Sequence, residues 1–240
     1  MAGHSHFANI KYKKEAQDKK RSKLFTRVQR EIMVALRSGL PDPDLNVKLK
    51  SALVKARQYN LPKDKIEAVI KKGSGANDSD DYEEIRYNGY GPGGVAFVIE
   101  TLTDNRNRTV GEVRAVFTKY GGSLAETGAV EFMFAKVGLL QYPISVMSFD
   151  EMFELAIEAG ANDIESDEEN YYIETGFTDL HECAGKISAK IGDSSLMQTF
   201  WKTNDMVDIS EDHKVTIGKI ISALEDLDDV QDVYCNTNIS

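Results

Sequence analysis

The fold of the second half of the chain is decided by six segments: GLLQY (138–142), FDEMFELAIEA (149–159), DIE (163–165), YYIE (171–174), LHECAGKISAKI (180–191) and LMQTFW (196–201). The two longest repeat apolar residues at three- and four-residue steps, which predicts helices, and the four short ones predict strands. The order strand, helix, strand, strand, helix, strand is that of a ferredoxin-like module. We therefore predict one such module over residues 137–204.

The segments on either side of this module predict a second module of the same kind. Strands are predicted over 84–89, 95–103, 123–125 and 130–134, with a helix over 106–120. A last helix, over 215–227, precedes the strand 230–235. The sequence thus indicates an α+β protein in which one ferredoxin-like module is inserted in another, the outer one formed by residues 82–136 and 205–240.

The first 75 residues predict helices only. Apolar stripes run from Leu24 to Leu36 and from Leu45 to Ala56, and Pro62 suits the first turn of a third helix. The buried face of that third helix is predicted to be formed by Ile66, Val69 and Ile70. Residues 73–81 are small, polar and acidic, which is typical of a linker. We predict a basic three-helix domain over residues 1–75.

The net charge of −10 conceals two halves of opposite sign. Residues 1–75 hold eighteen basic and seven acidic residues, a net charge of +11, whereas residues 76–240 hold eleven basic and thirty-two acidic ones, a net charge of −21. Such asymmetry indicates a module that binds a polyanion joined to a body that repels it. The alternative is that the lysines only solvate helical surfaces.

The densest positive charge lies in an N-terminal arm and the helix that follows it. The predicted nucleic-acid contacts are Lys11, Lys13, Lys14, Lys19, Lys20, Arg21, Lys23, Arg27 and Arg30. Phosphates attract such clusters because binding releases condensed counterions. Phe7 and Tyr12 add rings that would stack on bases, although packing of the arm against the helices explains them equally well.

Two further segments are candidates for a secondary contact. Residues 89–94, GYGPGG, satisfy the spacing of a dinucleotide-binding loop, but a strand follows them where that loop needs a helix. The favoured interpretation is a hairpin turn that needs positive φ at its glycines. The functional alternative is that Gly91, Gly93 and Gly94 let another backbone approach closely, which would suit an RNA or ribosomal contact. Arg106 and Arg108 are isolated in an acidic body at a predicted helix N-terminus, which favours anions, and therefore suggest a phosphate nearby.

Enzymatic motifs are not found. The sequence holds no nucleophile elbow, zinc-binding motif or phosphate-binding loop with its lysine. The acidic clusters at 163–169 and 225–232 are interpreted as solvated surface, the alternative being acid–base or Mg²⁺ chemistry. We expect no catalytic residue, no metal and no cofactor. The longest apolar runs are far too short to cross a membrane.

A family resemblance is carried by several blocks, among them MAGHSHFANIK (1–11), YNGYGPGGVA (87–96), TDNRNRT (103–109) and LEDLDDVQ (224–231). They resemble the YebC/PmpR family, which includes the mitochondrial translational activator of cytochrome oxidase subunit one. The typical family pattern has Lys and Trp where this chain has His6 and Phe7, and His where it has Tyr12. Because the signature begins at Met1, we expect no presequence and a cytoplasmic location.

The resemblance implies a three-domain protein that regulates gene expression without catalysis. Family members are labelled as DNA-binding transcriptional regulators or act in translation, so the implied partner is promoter DNA, or ribosomal RNA and the ribosome. Of these two we favour RNA, because a basic arm, glycine-rich loops and ferredoxin-like modules suit recognition of shape. A protein-interaction scaffold is the third hypothesis.

Overall fold

The computed structural model describes residues 21–43, 45–73 and 82–239. The first elements in these ranges are three helices. They are α1 (Arg21–Ser38), α2 (Val47–Gln58) and α3 (Lys63–Gly73). The predicted apolar stripe of α1 is confirmed, since Leu24, Val28, Ile32, Ala35 and Leu36 are all buried. Leu49, Ala52 and Ala56 form the buried side of α2.

Two details of the predicted helical core are wrong. Leu45 is 69% exposed because it precedes α2, whose N-cap is Asn46. The apolar residues of α3 are half-buried, and this helix has no fully buried side chain. Three apolar positions on an eleven-residue helix make a stripe too narrow to exclude water from its edges.

The first sheet is built by β1 (Glu83–Tyr90), β2 (Ala96–Thr103), β3 (Ser123–Ala125) and β8 (Val230–Cys235). Their order is β3-β1-β2-β8, and every neighbouring pair is antiparallel. Two helices complete this part, α4 (Arg106–Lys119) and α7 (Glu211–Glu225). Phe97 and Ile99 of β2 pack with Phe117 of α4 and Ile220 of α7 in one core.

The predicted strand over 130–134 is wrong. Residues Glu131–Met133 form a short 3-10 turn, and the next strand begins at Phe134. In the sheet, β2 lies between β1 and β8. The strand β1 pairs with β2 along its whole length, from Glu83 opposite Thr103 to Tyr90 opposite Ala96. Val130 and Phe134 are instead buried against the other face of β2, with Ala96 and Val98.

The second sheet follows the predicted series closely. It contains β4 (Phe134–Pro143), β5 (Asp163–Ser166), β6 (Asn170–Gly176) and β7 (Leu196–Thr203), in the order β5-β6-β4-β7. The helices α5 (Phe149–Ala159) and α6 (Leu180–Ile191) cover it. Within the described residues the chain is thus α+β, with helices first and two four-stranded antiparallel sheets after them, as predicted.

The chain divides into two compact units. Of the described residues, one unit contains 21–31, 82–135 and 201–239, and the other contains 32–43, 45–73 and 136–200. In the second unit, Leu140, Met152, Ile173 and Ile187 belong to a single core. The division into three domains at 1–75, 82–136 with 205–240, and 137–204 stays a prediction.

Candidate nucleic-acid interface

Most of the predicted arm lies outside the described residues. This applies to Phe7, Lys11, Tyr12, Lys13, Lys14, Lys19 and Lys20. Arg21 begins α1, and its side chain is likewise outside the description. The structure therefore places three of the predicted primary contacts, Lys23, Arg27 and Arg30.

These three residues share one face of α1, because they are spaced by four and three positions. Lys23 Nζ donates a hydrogen bond to the carbonyl oxygen of Asp226, and Arg27 Nη2 donates one to that of Glu225. Both carbonyls belong to the C-terminal end of α7. Carbonyl groups at this end have no partner within the helix, and the helix dipole places a partial negative charge there. The basic face of α1 thus satisfies the end of α7.

Arg30 continues this contact into the loop between α7 and β8. Its Nη1 donates to the carbonyl oxygen of Asp228 at 2.9 Å and to Oδ1 of Asp229 at 3.1 Å. The guanidinium also lies 5.3 Å from the ring centroid of Tyr82. Arg30 is therefore held by charge, by hydrogen bonds and by an aromatic face.

Asp229 is the centre of a buried polar cluster. The residue is 1% exposed. Its Oδ2 accepts hydrogen bonds from Thr103 Oγ1 at 3.0 Å, Thr109 Oγ1 at 2.8 Å and Arg108 Nη2 at 2.6 Å. A buried carboxylate is stable only with such partners. The expectation that residues 225–232 form a solvated acidic surface is therefore wrong at Asp229.

Burial and hydrogen bonding shift the pKa of Asp229 in opposite directions. Burial opposes the charged form of Asp229, but hydrogen bonds from Arg108, Thr109 and Thr103 outweigh it, and the pKa of Asp229 falls below its ordinary value. Hydrogen bonds to Asp229 and Asp104 raise the pKa of Arg108. Sequence patterns miss this cluster because its members come from distant segments.

The two arginines among the secondary candidates are both exposed. Arg108 Nη2 nevertheless lies 2.6 Å from Asp229 Oδ2 and 2.8 Å from Asp104 Oδ1. Gly91 is buried, and a side chain there would lie 2.8 Å from both Ile217 and Phe97.

Gly93 and Gly94 are exposed, each with φ of 77°. The glycine turn is thus explained by a positive φ and by packing against α7 and the segment just before it.

Exposed lysines on α2 and α3 extend the positive charge beyond the predicted primary site. Lys50, Lys65 and Lys71 are all exposed, and Lys63 lies 3.8 Å from Glu67. Residues 21–73 as a whole hold thirteen basic and five acidic residues. The positive net charge of the segment indicates these lysines in the sequence, although they are spaced more widely along the chain than the basic residues of the arm.

Neither a metal site nor a membrane-spanning helix is found in the described ranges. Between residues 21 and 239, gaps excepted, no three His, Cys, Asp or Glu side chains are arranged to hold a metal ion. Among the helices of the same ranges, none has the length and apolar character that a membrane span requires.

Comparison with known proteins gives matches over most of the chain. A family model described as the TACO1/YebC protein N-terminal domain matches residues 5–76, and one described as the TACO1/YebC second and third domain matches residues 82–237. A crystal structure of a conserved hypothetical protein from Aquifex aeolicus is similar, with 41% sequence identity, a TM-score of 0.81 and 90% of each chain covered.

Proposed function

This chain belongs to the TACO1/YebC family, and we propose that it is a non-enzymatic regulator of gene expression that binds nucleic acid through its basic N-terminal segment. The preferred target is RNA on the ribosome, which would make the protein a translation factor. The family is generally associated with transcriptional regulation, so promoter DNA is the alternative target.

The opposite charges of the two parts of the chain carry this proposal. A net charge of +11 over residues 1–75 beside −21 over the remainder gives one molecule two parts with fields of opposite sign. The positive part attracts a polyanion, and the negative remainder prevents the protein from coating nucleic acid along its whole surface. Both effects favour a single oriented contact.

The contacts of α1 suggest which cations meet the phosphates. Lys23, Arg27 and Arg30 already donate to the end of α7 and to the loop after it, so a phosphate would have to displace protein acceptors. Lys50, Lys65 and Lys71 are exposed. We therefore assign the first encounter to Lys11, Lys13, Lys14, Lys19 and Lys20 of the arm, together with the exposed lysines of α2 and α3.

RNA is favoured over duplex DNA by the kind of surface available. A recognition helix for the major groove presents side chains that hydrogen-bond to base edges. α3, the most exposed helix of the basic segment, presents mainly lysines and small or aliphatic residues (KDKIEAVIKKG, 63–73). Lysines at scattered positions contact phosphates and recognise shape rather than sequence.

Crosslinking in cells followed by sequencing of the attached nucleic acid tests the target. Enrichment of ribosomal RNA at the tRNA-binding or peptidyl-transferase regions is the expected result. Discrete promoter DNA with little ribosomal RNA would replace the translation hypothesis by the transcriptional one. Recovery of neither above the background of a sample without crosslinking would contradict nucleic-acid binding altogether.

A charge-reversal variant tests the basic arm directly. Changing Lys13, Lys14, Lys20 and Arg21 together to Glu should abolish binding to purified ribosomes while the fold is retained. The matched control reverses four exposed lysines elsewhere, namely Lys119, Lys186, Lys190 and Lys219. Both variants change the net charge equally, so unchanged binding by the first would remove the arm from the proposal.

A further inference from the structure

The helix α5 exposes a line of large apolar side chains. Phe149 is 43% exposed, Phe153 46% and Ile157 51%. Their spacing of four residues places them along one side of the helix over about 12 Å. The rings of Phe149 and Phe153 lie 6.2 Å apart, so the two aromatic residues form a continuous surface.

The core contacts of α5 come mainly from another side of the helix, although the Phe149 ring also lies 6.1 Å from the Tyr171 ring. The opposite side of the helix buries Met152, Leu155, Ala156 and Ala159 in the core of its own unit. The N-terminus is fixed by a capping box between Ser148 and Glu151. The helix therefore has two apolar sides, one that serves the fold and one that faces water.

Carboxylates border the apolar line. Asp150, Glu154 and Glu158 each follow one of its residues by one position, and all three are exposed. Of these, Glu158 accepts a hydrogen bond from Lys190 at 2.9 Å. The surrounding segment has the same sign, since residues 137–204 hold thirteen acidic and three basic residues. We call Phe149, Phe153, Ile157 and this acidic border the α5 surface.

We propose that the α5 surface binds a helix of another protein, one that carries apolar side chains along one face and Lys or Arg beside them. The apolar line gives anchors at helical spacing, which is how a groove-bound or paired amphipathic helix is recognised. The carboxylate border supplies the complementary charge and selects a basic partner. Large exposed apolar groups with a polar border are typical of such interaction sites.

The charge of the α5 surface argues against two other occupants. A second copy of this surface would bring like carboxylates together, and a nucleic acid would bring phosphates against them. The α5 surface is thus distinct from the basic segment and is independent of the proposed nucleic-acid binding. The protein would hold a polyanion on its basic segment and a basic helix of another protein on the α5 surface.

Synthetic peptides provide the test with the full-length chain. The probe is an eighteen-residue helical peptide with leucines along one face and lysines beside them. Two companion peptides replace the lysines by glutamate or the leucines by alanine. We expect saturable one-to-one binding of the first peptide by titration calorimetry, and at least tenfold weaker binding of each companion.

Protein variants locate the binding. Phe149→Ser with Phe153→Ser should weaken binding of the leucine–lysine peptide at least tenfold. Asp150→Asn with Glu154→Gln should weaken it and reduce its salt dependence. Phe132→Ser with Val215→Ser is the matched control, because these residues are 73% and 59% exposed at other places and should leave binding unchanged. Each variant is required to melt at the wild-type temperature.

Several results would overturn the proposal. Equal binding by the Phe149→Ser/Phe153→Ser variant would show that the peptide binds elsewhere, and equal binding of the alanine–lysine peptide would show charge attraction alone. Equal binding of the leucine–glutamate peptide would remove the role of the carboxylates. Self-association of the wild type that is abolished in the Phe149→Ser/Phe153→Ser variant would identify a second copy as the occupant instead.

Discussion

Arg108 and Asp229 are 121 positions apart in the chain, yet Nη2 of the arginine lies 2.6 Å from Oδ2 of the aspartate. Arg108 stands in the first turn of α4, and Asp229 immediately precedes β8. The pair therefore joins the two chain segments that enclose residues 137–204. Arg30 of α1 reaches the second carboxylate oxygen of the same aspartate, so one buried charge organises three separate segments.

Replacing Asp229 with Asn should destabilise the protein by about 2 to 3 kcal/mol. The change leaves two arginines without their carboxylate and turns an amide donor towards other donors. The destabilisation is moderated because the side chain of Arg108 is 43% exposed and water can solvate it. Urea unfolding followed by circular dichroism measures the change.

The control for this variant is Asp228→Asn. Asp228 is the neighbouring acidic residue, its side chain is 75% exposed, and it lies 3.7 Å from Lys23. Exposed ion pairs contribute less than about 1 kcal/mol, so this variant should unfold near the wild-type midpoint. Equal effects of the two substitutions would mean that the buried cluster does not hold the segments together.

Acid should weaken the protein through the same carboxylate. Because the pKa of Asp229 is lowered in the folded state, the unfolded chain binds a proton more readily. The stabilisation is complete above the unfolded pKa, about 3.9 for an aspartate, and is lost as the pH falls through the lower folded pKa. Urea titrations from pH 6 to pH 3 should show a steeper loss of stability in the wild type than in Asp229→Asn. Parallel curves would exclude Asp229 as a source of the pH dependence.

The two exposed glycines of the turn after β1 should respond differently to alanine. Both have φ of 77°, which costs a residue with a side chain about 1 to 2 kcal/mol. At Gly93 the added carbon would also lie 2.9 Å from Ile209 Cγ2 and 3.0 Å from His213 Nδ1, whereas at Gly94 it would meet open space. We expect Gly93→Ala to be the more destabilising in thermal unfolding.

The same pair of variants separates packing from binding at this turn. If Gly94 contacts nucleic acid, Gly94→Ala should weaken binding more than its effect on stability explains. Binding that follows stability in both variants would assign the turn to the fold alone.

Salt dependence should report how many phosphates the basic segment neutralises. Six neutralised phosphates predict a log–log slope of about −5 on duplex DNA and a shallower slope on a single strand. Replacing Lys50, Lys65 and Lys71 with alanine should reduce the magnitude of the slope by about 2 on single-stranded RNA, because each neutralised phosphate accounts for roughly 0.7 of it. Binding at a series of salt concentrations measures the slope. Lys186, Lys190 and Lys219 changed to alanine should leave it unaltered, and an equal reduction by both triple variants would refute a localised contact.

The order of the elements follows from local sequence at most positions. The helices Phe149–Ala159 and Leu180–Ile191 and the strand Val230–Cys235 have the predicted bounds, because periodicity, caps and β-branched residues act within a few positions of one another. The strand predicted over 130–134 was wrong because local sequence does not decide how these residues are used. Its apolar residues also suit packing against a sheet. In the fold, β1 pairs with β2, and Val130 and Phe134 are buried against Ala96 and Val98 of β2.

The candidate site shows the same division. The opposite net charges of residues 1–75 and 76–240 depend on composition alone, so the sequence by itself determined where a polyanion would be attracted. Which cations face water was decided by the tertiary structure. Arg27, Arg30 and Arg108 resemble binding residues in the sequence, but the fold brings them to carbonyl and carboxylate acceptors about 120 to 200 positions away. A hydrogen bond acts over about 3 Å, and only the folded chain brings groups so distant in sequence within that range.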